Sequence, residues 1–275
     1  MAIEKLLRLS RRDFNKLLFG YGAAVFATGL CMAGGGILEY ERRKRNAAWL
    51  TGIERYPEEL AWYGREGVGL IDDIEKNLNL LVPLPGTKPL PSICREADVT
   101  GVLQDENNKA WSLAELVTLS QVAECLPKSF QMDDRAILAK YSVGGIEYGG
   151  CMTETFIGLL VPEQFEPTML QVWPSKEKEL AGVFIHELAH DLIGRNRYLV
   201  VEYAGLTGWR QVEGYWFNPD NISARFGVWR YVEQEGPEHE LIFLTSFYVT
   251  NPDLVRQDVV RFNFLRDHLF EGKTY

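Results

Sequence analysis

The sequence predicts an α+β fold in which a small mixed sheet packs on one buried helix. Three observations predict it. Apolar residues recur at helical spacing from 176 to 193. Short runs rich in β-branched and aromatic residues precede that helix, at Ile137–Ile146, Phe156–Val161 and Thr168–Trp173. Further helical patterns stand apart from these strands, at 46–81, 111–126 and 252–270.

At 275 residues the chain can bury a full core, and one main domain is the default. A formal net charge of −9 disfavours a nucleic-acid partner. Three regions are expected: a signal or membrane anchor over 1–40, a helical arm with a Pro-rich connector over 41–91, and a catalytic-type domain over 92–275.

The first region carries Ser10-Arg11-Arg12-Asp13-Phe14-Asn15-Lys16, which resembles the twin-arginine export signal and departs from it at Asn15. The uncharged stretch from Leu17 to Leu38 is rich in Gly and only mildly hydrophobic. That suits a route carrying folded cargo. The stretch is also long enough to span a bilayer, and no clear cleavage site ends it before Arg42-Arg43-Lys44-Arg45. The expected address is the periplasm or the outer face of the bacterial inner membrane, with the twin-arginine machinery as a partner and the signal as a possible tether. Cys31, Cys94, Cys125 and Cys151 form no C-x-x-C pair, so a Cys-type zinc site is not expected. An exported location allows a disulfide among the last three.

In the second region, Trp49, Ile53, Leu60, Ile71, Ile74 and Leu78 are near helical spacing, and the prolines from Pro83 to Pro91 form a stiff connector. In the third, Ser112 with Glu115 three residues on matches a capping box, and Pro127 ends that helix. Met169–Trp173 is the candidate outer strand, where a peptide substrate would pair by its main chain.

The chemistry lies in Val183–Leu192, which reads V-F-I-H-E-L-A-H-D-L. Ser175 is placed to cap the helix, Leu180, Phe184, Leu188 and Ile193 to bury it, and Gly194 to end it. On that helix His186 and His190 share one face, a turn apart, where they can bind one zinc ion. Glu187 then stands beside the metal as general base for its water. Beyond it, Tyr198–Tyr203 is apolar enough to extend the sheet.

Thr245-Ser246-Phe247-Tyr248-Val249-Thr250-Asn251-Pro252 is the second informative stretch. With the pentad and Leu206-Thr207-Gly208-Trp209 it resembles the zincin metallopeptidases related to the catalytic domain of anthrax lethal factor. Those read roughly T-S-Y-x-x-T-N-x-x-E-x-x-A-E after the metal helix. The resemblance implies a zincin-like domain, a bound zinc, a third ligand at the first Glu of that pattern and a Tyr that donates to the oxyanion. This chain has Phe247 at the Tyr position and Leu254 at the ligand position, and Asp258 stands at the second acid. Asp258 is therefore the candidate third ligand. Asp253, Glu202 and Glu213 are alternatives, and a site with only two protein ligands is the remaining one. His239 reads as part of an exposed loop, Gln234–Glu240, and His268 as a surface residue of the last helix.

The expectation is a zinc-dependent peptidase with a peptide or protein substrate. The alternative is a catalytically degenerate zincin-fold protein that binds metal or protein at the exported side of the membrane.

Overall fold

The first described helix, α1 (Tyr56–Leu78), ends where Asn79 takes a φ of 54° and turns the chain into a two-residue strand, β1 (Leu80–Leu81). The structure, a computed structural model, describes residues 56–86, 108–143, 149–153, 155–162, 173, 175–218 and 236–275. They belong to one unit, Tyr56–Tyr275. The export motif, the stretch Leu17–Leu38, the basic run after it, Cys31 and Cys94 lie outside the described residues. Among the described residues no helix is long and apolar enough to cross a membrane.

Ile71, Ile74 and Leu78 of α1 are buried in the main core, so the described part of the helical arm packs within this unit. It packs on α2 (Leu113–Cys125). The capping box is made: the Glu115 amide donates to Ser112 Oγ at 3.3 Å, and the Ser112 amide donates to Glu115 Oε2 at 2.8 Å. That satisfies two helix-end amides at once.

A 3-10 turn over Lys128–Phe130 leads into the sheet. β2 (Ala136–Val143) runs parallel to β1 and to β4 (Phe156–Pro162), while β3 (Gly149–Thr153) is antiparallel to β4. The order is β1-β2-β4-β3, a mixed sheet with β3 at one edge among the described residues. Strand alternation sorts the side chains onto two faces. Ala136, Leu138, Ile157, Leu159 and Val161 join the main core, and Ala139, Tyr141, Cys151, Phe156 and Leu160 form a second cluster. The expected strand end at 144–146 lies outside the described residues; sequence reading did not find β3, because four glycines at 144, 145, 149 and 150 obscure the period.

On the main-core face lies α3 (Lys176–Arg195), with Phe184, Ile185, Leu188 and Leu192 buried against the sheet and α2. It runs past Gly194, and Asn196 ends it instead, its Nδ2 donating to the Leu192 carbonyl at 2.8 Å. The next segment does not extend the sheet. Tyr198–Thr207 is a helix, α4, because Leu199, Tyr203, Ala204 and Thr207 can all be buried only at helical spacing. A hairpin of β5 (Arg210–Val212) and β6 (Tyr215–Phe217) follows.

The C-terminal part holds the largest difference from expectation. Residues 237–250, read partly as loop, form α5 (Pro237–Thr250), packed along α3. The single helix expected over 252–270 is broken into α6 (Pro252–Arg256), α7 (Val259–Phe264) and a π-helical turn over Leu265–Leu269. Asp258 makes the break. Its backbone is extended (φ −117°, ψ 97°), and its side chain accepts from the Arg261 amide as the N-cap of α7.

Candidate functional site

Helix α3 opens at Ser175, whose Oγ accepts from the Lys178 amide at 3.3 Å. Two glycines let neighbours approach the helix closely. A Cβ on Gly182 would lie 2.4 Å from Trp173 Cε2. Trp173 occupies that space, packs on Phe247 at 5.5 Å between ring centroids, and donates from Nε1 to Thr250 Oγ1 at 2.9 Å. It therefore ties α3 to α5. The expected outer strand Met169–Trp173 is described only at Trp173, which sits in a bend. On the sheet side, Gly150 of β3 faces Glu187, with no room for a Cβ between them.

His186 and His190 bring their Nε2 atoms to 3.2 Å. The rings stand edge to face, 4.9 Å between centroids and 77° between planes. Two nitrogens bound to one tetrahedral zinc at ~2.0–2.1 Å lie about 3.3 Å apart, so the pair fits the ion without rearrangement. Both imidazoles are held neutral, which is the ligating form. Burial pushes His186 well below its usual range, and His190 and His239 add to the effect. Burial lowers His190 to about 4, helped by His239 and Arg197.

Glu187 is 4% exposed. Burial raises its carboxyl to about 8, so without a cation it holds its proton at neutral pH. A cation at the two histidines favours the ionised form, which is the form a base needs.

The structure sets the acids that sequence reading offered as third ligand at other tasks. Asp258 caps α7 and pairs with Arg261 Nη1 at 2.9 Å, so its carboxylate is already engaged. Asp253 pairs with Arg256 at 2.7 Å on the surface. Glu202 stands 3.8 Å from His268, and both are solvent-exposed. Glu213 is in the exposed turn of the β5–β6 hairpin. Leu254 packs on the main core. Tyr248 gives its hydroxyl proton to the Lys273 carbonyl at 2.7 Å and stacks on Phe270.

The residue the structure does bring to the pair is His239. Its ring centroid is 5.3 Å from that of His190 and 6.5 Å from that of His186. Phe243, one turn further along α5, packs on His186 at 4.5 Å. As the side chains stand, no group of three His, Cys, Asp or Glu residues among the described residues is already closed around a common point. Sequence signals for this helix did exist. Pro237 is a favoured first helical residue, and Glu238 and Glu240 suit the positive end of the dipole.

No family model matches the chain, and no curated protein matches it. A solved structure from Bacteroides caccae, named "putative zinc-binding metallo-peptidase", is similar at 12% sequence identity and a TM-score of 0.42, over 78% of this chain and 89% of that one. The fold and the site together define an α+β protein with a His-Glu-x-x-His helix between a mixed sheet and a second helix that carries a histidine.

Proposed function

We infer that the protein is a zinc-dependent peptidase of the zincin type, related to the lethal factor group that its Thr245–Pro252 stretch resembles. The observation that carries this reading is the pair of neutral imidazoles with Nε2 atoms 3.2 Å apart, with Glu187 buried on the same helix beside the sheet.

His186 and His190 would hold the zinc. When bound, the ion supplies an acidified water and polarises the scissile carbonyl. Glu187 takes the proton of the attacking water as the C–O bond forms. It then delivers that proton to the amide nitrogen as the C–N bond breaks, so no covalent enzyme intermediate is needed. Burial of Glu187 keeps competing water from the carboxylate. Its high intrinsic proton affinity suits the return step.

The test is Glu187→Gln, with zinc content measured beside cleavage of a peptide library. Loss of cleavage with zinc retained is the expected result. Unchanged cleavage would sink the mechanism, and zinc-loaded but inert wild type would favour the non-catalytic binding module.

Export through the twin-arginine route to the outer side of the membrane belongs to the same proposal. Cys151 is disulfide-bonded while Cys125 is a free thiol, and a disulfide supports an oxidising compartment. Replacing Arg11-Arg12 by Lys-Lys should leave the protein in the cytoplasmic fraction, and unchanged export would contradict the route.

A further inference from the structure

On the reading just given, we propose that His239 is the third protein ligand, completing a site of three imidazoles where the resemblance implied two imidazoles and a carboxylate. The argument starts from how the first turn of α5 is held. Gly236 has a φ of 81°, which favours glycine, and a Cβ there would lie 2.3 Å from Trp216 Cδ1, so the β5–β6 hairpin closes directly over the start of the helix. Pro237, the first residue of the helix, has its own φ fixed by its ring near the helical value.

The residues on either side of His239 are both anchored. Glu238 pairs with Arg197, which follows the end of α3. Glu240 is 5% exposed, accepts from Trp209 Nε1, and pairs with Arg261 Nε at 2.8 Å. Each neighbour is thus held from a different part of the fold, and the ring contacts of His239 with His186 and His190 put it on the face that meets α3.

The distances agree with the assignment. Three imidazoles on one tetrahedral zinc have ring centroids about 5 Å apart, given Zn–N bonds of ~2.0–2.1 Å. The observed separations are 4.9, 5.3 and 6.5 Å. The longest is the His186–His239 separation, and closing the site requires the His239 ring to turn towards His186 about its side-chain torsions. The carboxylates offered by the sequence are engaged or placed elsewhere: Asp258 and Asp253 each pair with an arginine, Glu202 stands by His268, and Glu213 lies in the exposed hairpin turn. A set of three neutral ligands leaves the full dipositive charge of the ion facing Glu187 and the fourth position.

The experiment loads purified wild-type protein with zinc and counts imidazoles by X-ray absorption at the zinc edge. Zinc affinity is then compared by chelator competition for wild type, His239→Gln, Asp258→Asn and His190→Ala. Three imidazoles in wild type and two in His239→Gln are expected. The affinity loss for His239→Gln should exceed the roughly 10- to 100-fold that loss of an outer partner gives, and that for Asp258→Asn should stay below it. Two imidazoles in wild type, or wild-type affinity in His239→Gln with loss in His190→Ala, would overturn the assignment and leave the peptidase reading standing. A wild type that takes up no stoichiometric zinc would overturn both.

Discussion

The Cβ that Gly150 lacks would stand 2.4 Å from Oε1 of Glu187. Real Cβ atoms essentially never show that approach, so the edge strand and the Glu187 side chain can share the space as they stand only while position 150 is glycine. Gly150→Ala must push the Glu187 carboxylate aside or push β3 away from α3. Zinc binding should persist, because neither histidine is touched. Turnover should fall on the order of 100-fold, the effect of misplacing a catalytic group by about 1 Å. Steady-state kinetics with zinc stoichiometry checks this, with Gly205→Ala as control, since a Cβ there meets nothing within 4 Å. Equal kcat in the two variants would mean the close approach has no catalytic consequence.

Arg261 is 2% exposed and bridges Glu240 and Asp258. Arg261→Met leaves Glu240 as a buried acid without its cation. That should cost about 3–5 kcal/mol in urea unfolding, as for other one-sided losses of a buried pair. Zinc affinity should fall as well, because Glu240 is the residue after His239. A stability loss with zinc affinity unchanged would separate the anchor from the metal site.

Glu115 gives a pH test away from the site. Burial alone would raise its carboxyl, but hydrogen bonds from Lys140 and Ser112 and the charge of Lys140 outweigh that and hold it below its usual value. A carboxyl lowered in the folded state contributes stability that is complete above its unfolded pKa of about 4.5 and is lost as pH falls below that. Glu115→Gln should therefore be less stable than wild type at pH 7, and the gap should narrow below about pH 4.5. A gap that stays constant with pH would rule out the Lys140 pairing, at 2.7 Å, as its source.

The cysteines separate by chemistry. Burial raises the Cys125 thiol above its usual value, so in the native protein it should alkylate slowly. In denaturant without reductant, Cys125 should be labelled and Cys151 should not; with reductant both should be, as peptide mass spectrometry would show. Labelling of Cys151 before reduction would contradict its disulfide.

A carboxylate at position 239 gives the last test. On the proposed assignment, His239→Glu would give the two-histidine, one-carboxylate set known from catalytic zinc sites. It should keep zinc with two imidazoles, and the lower net charge at the metal should move the basic rise of the pH–rate profile upward. An unmoved profile would indicate that position 239 is remote from the ion.

The pentad helix was legible because everything that makes it is local. Ser175 caps it, apolar residues at helical intervals bury it, and the four-residue spacing of His186 and His190 places both rings on one face whatever packs around them. The capping box at Ser112 was legible for the same reason. Tyr198–Tyr203 misled because its tyrosines and valines favour strands, and only burial of Leu199, Tyr203 and Ala204 against neighbouring elements selects the helix. Asp258 was placed on a single helix over 252–270, and its own capping of α7 breaks that helix.

By itself the sequence determined two imidazoles, a glutamate between them and the helix that aligns them. The tertiary structure decided which residue faces them. That depends on how α5 lies along α3, and the packing is fixed by Trp173, Arg197, Trp209 and Arg261, none of them adjacent to His239 in the chain. Helical periodicity places a side chain on a face of its own helix. Only the packed core orients that face towards another helix.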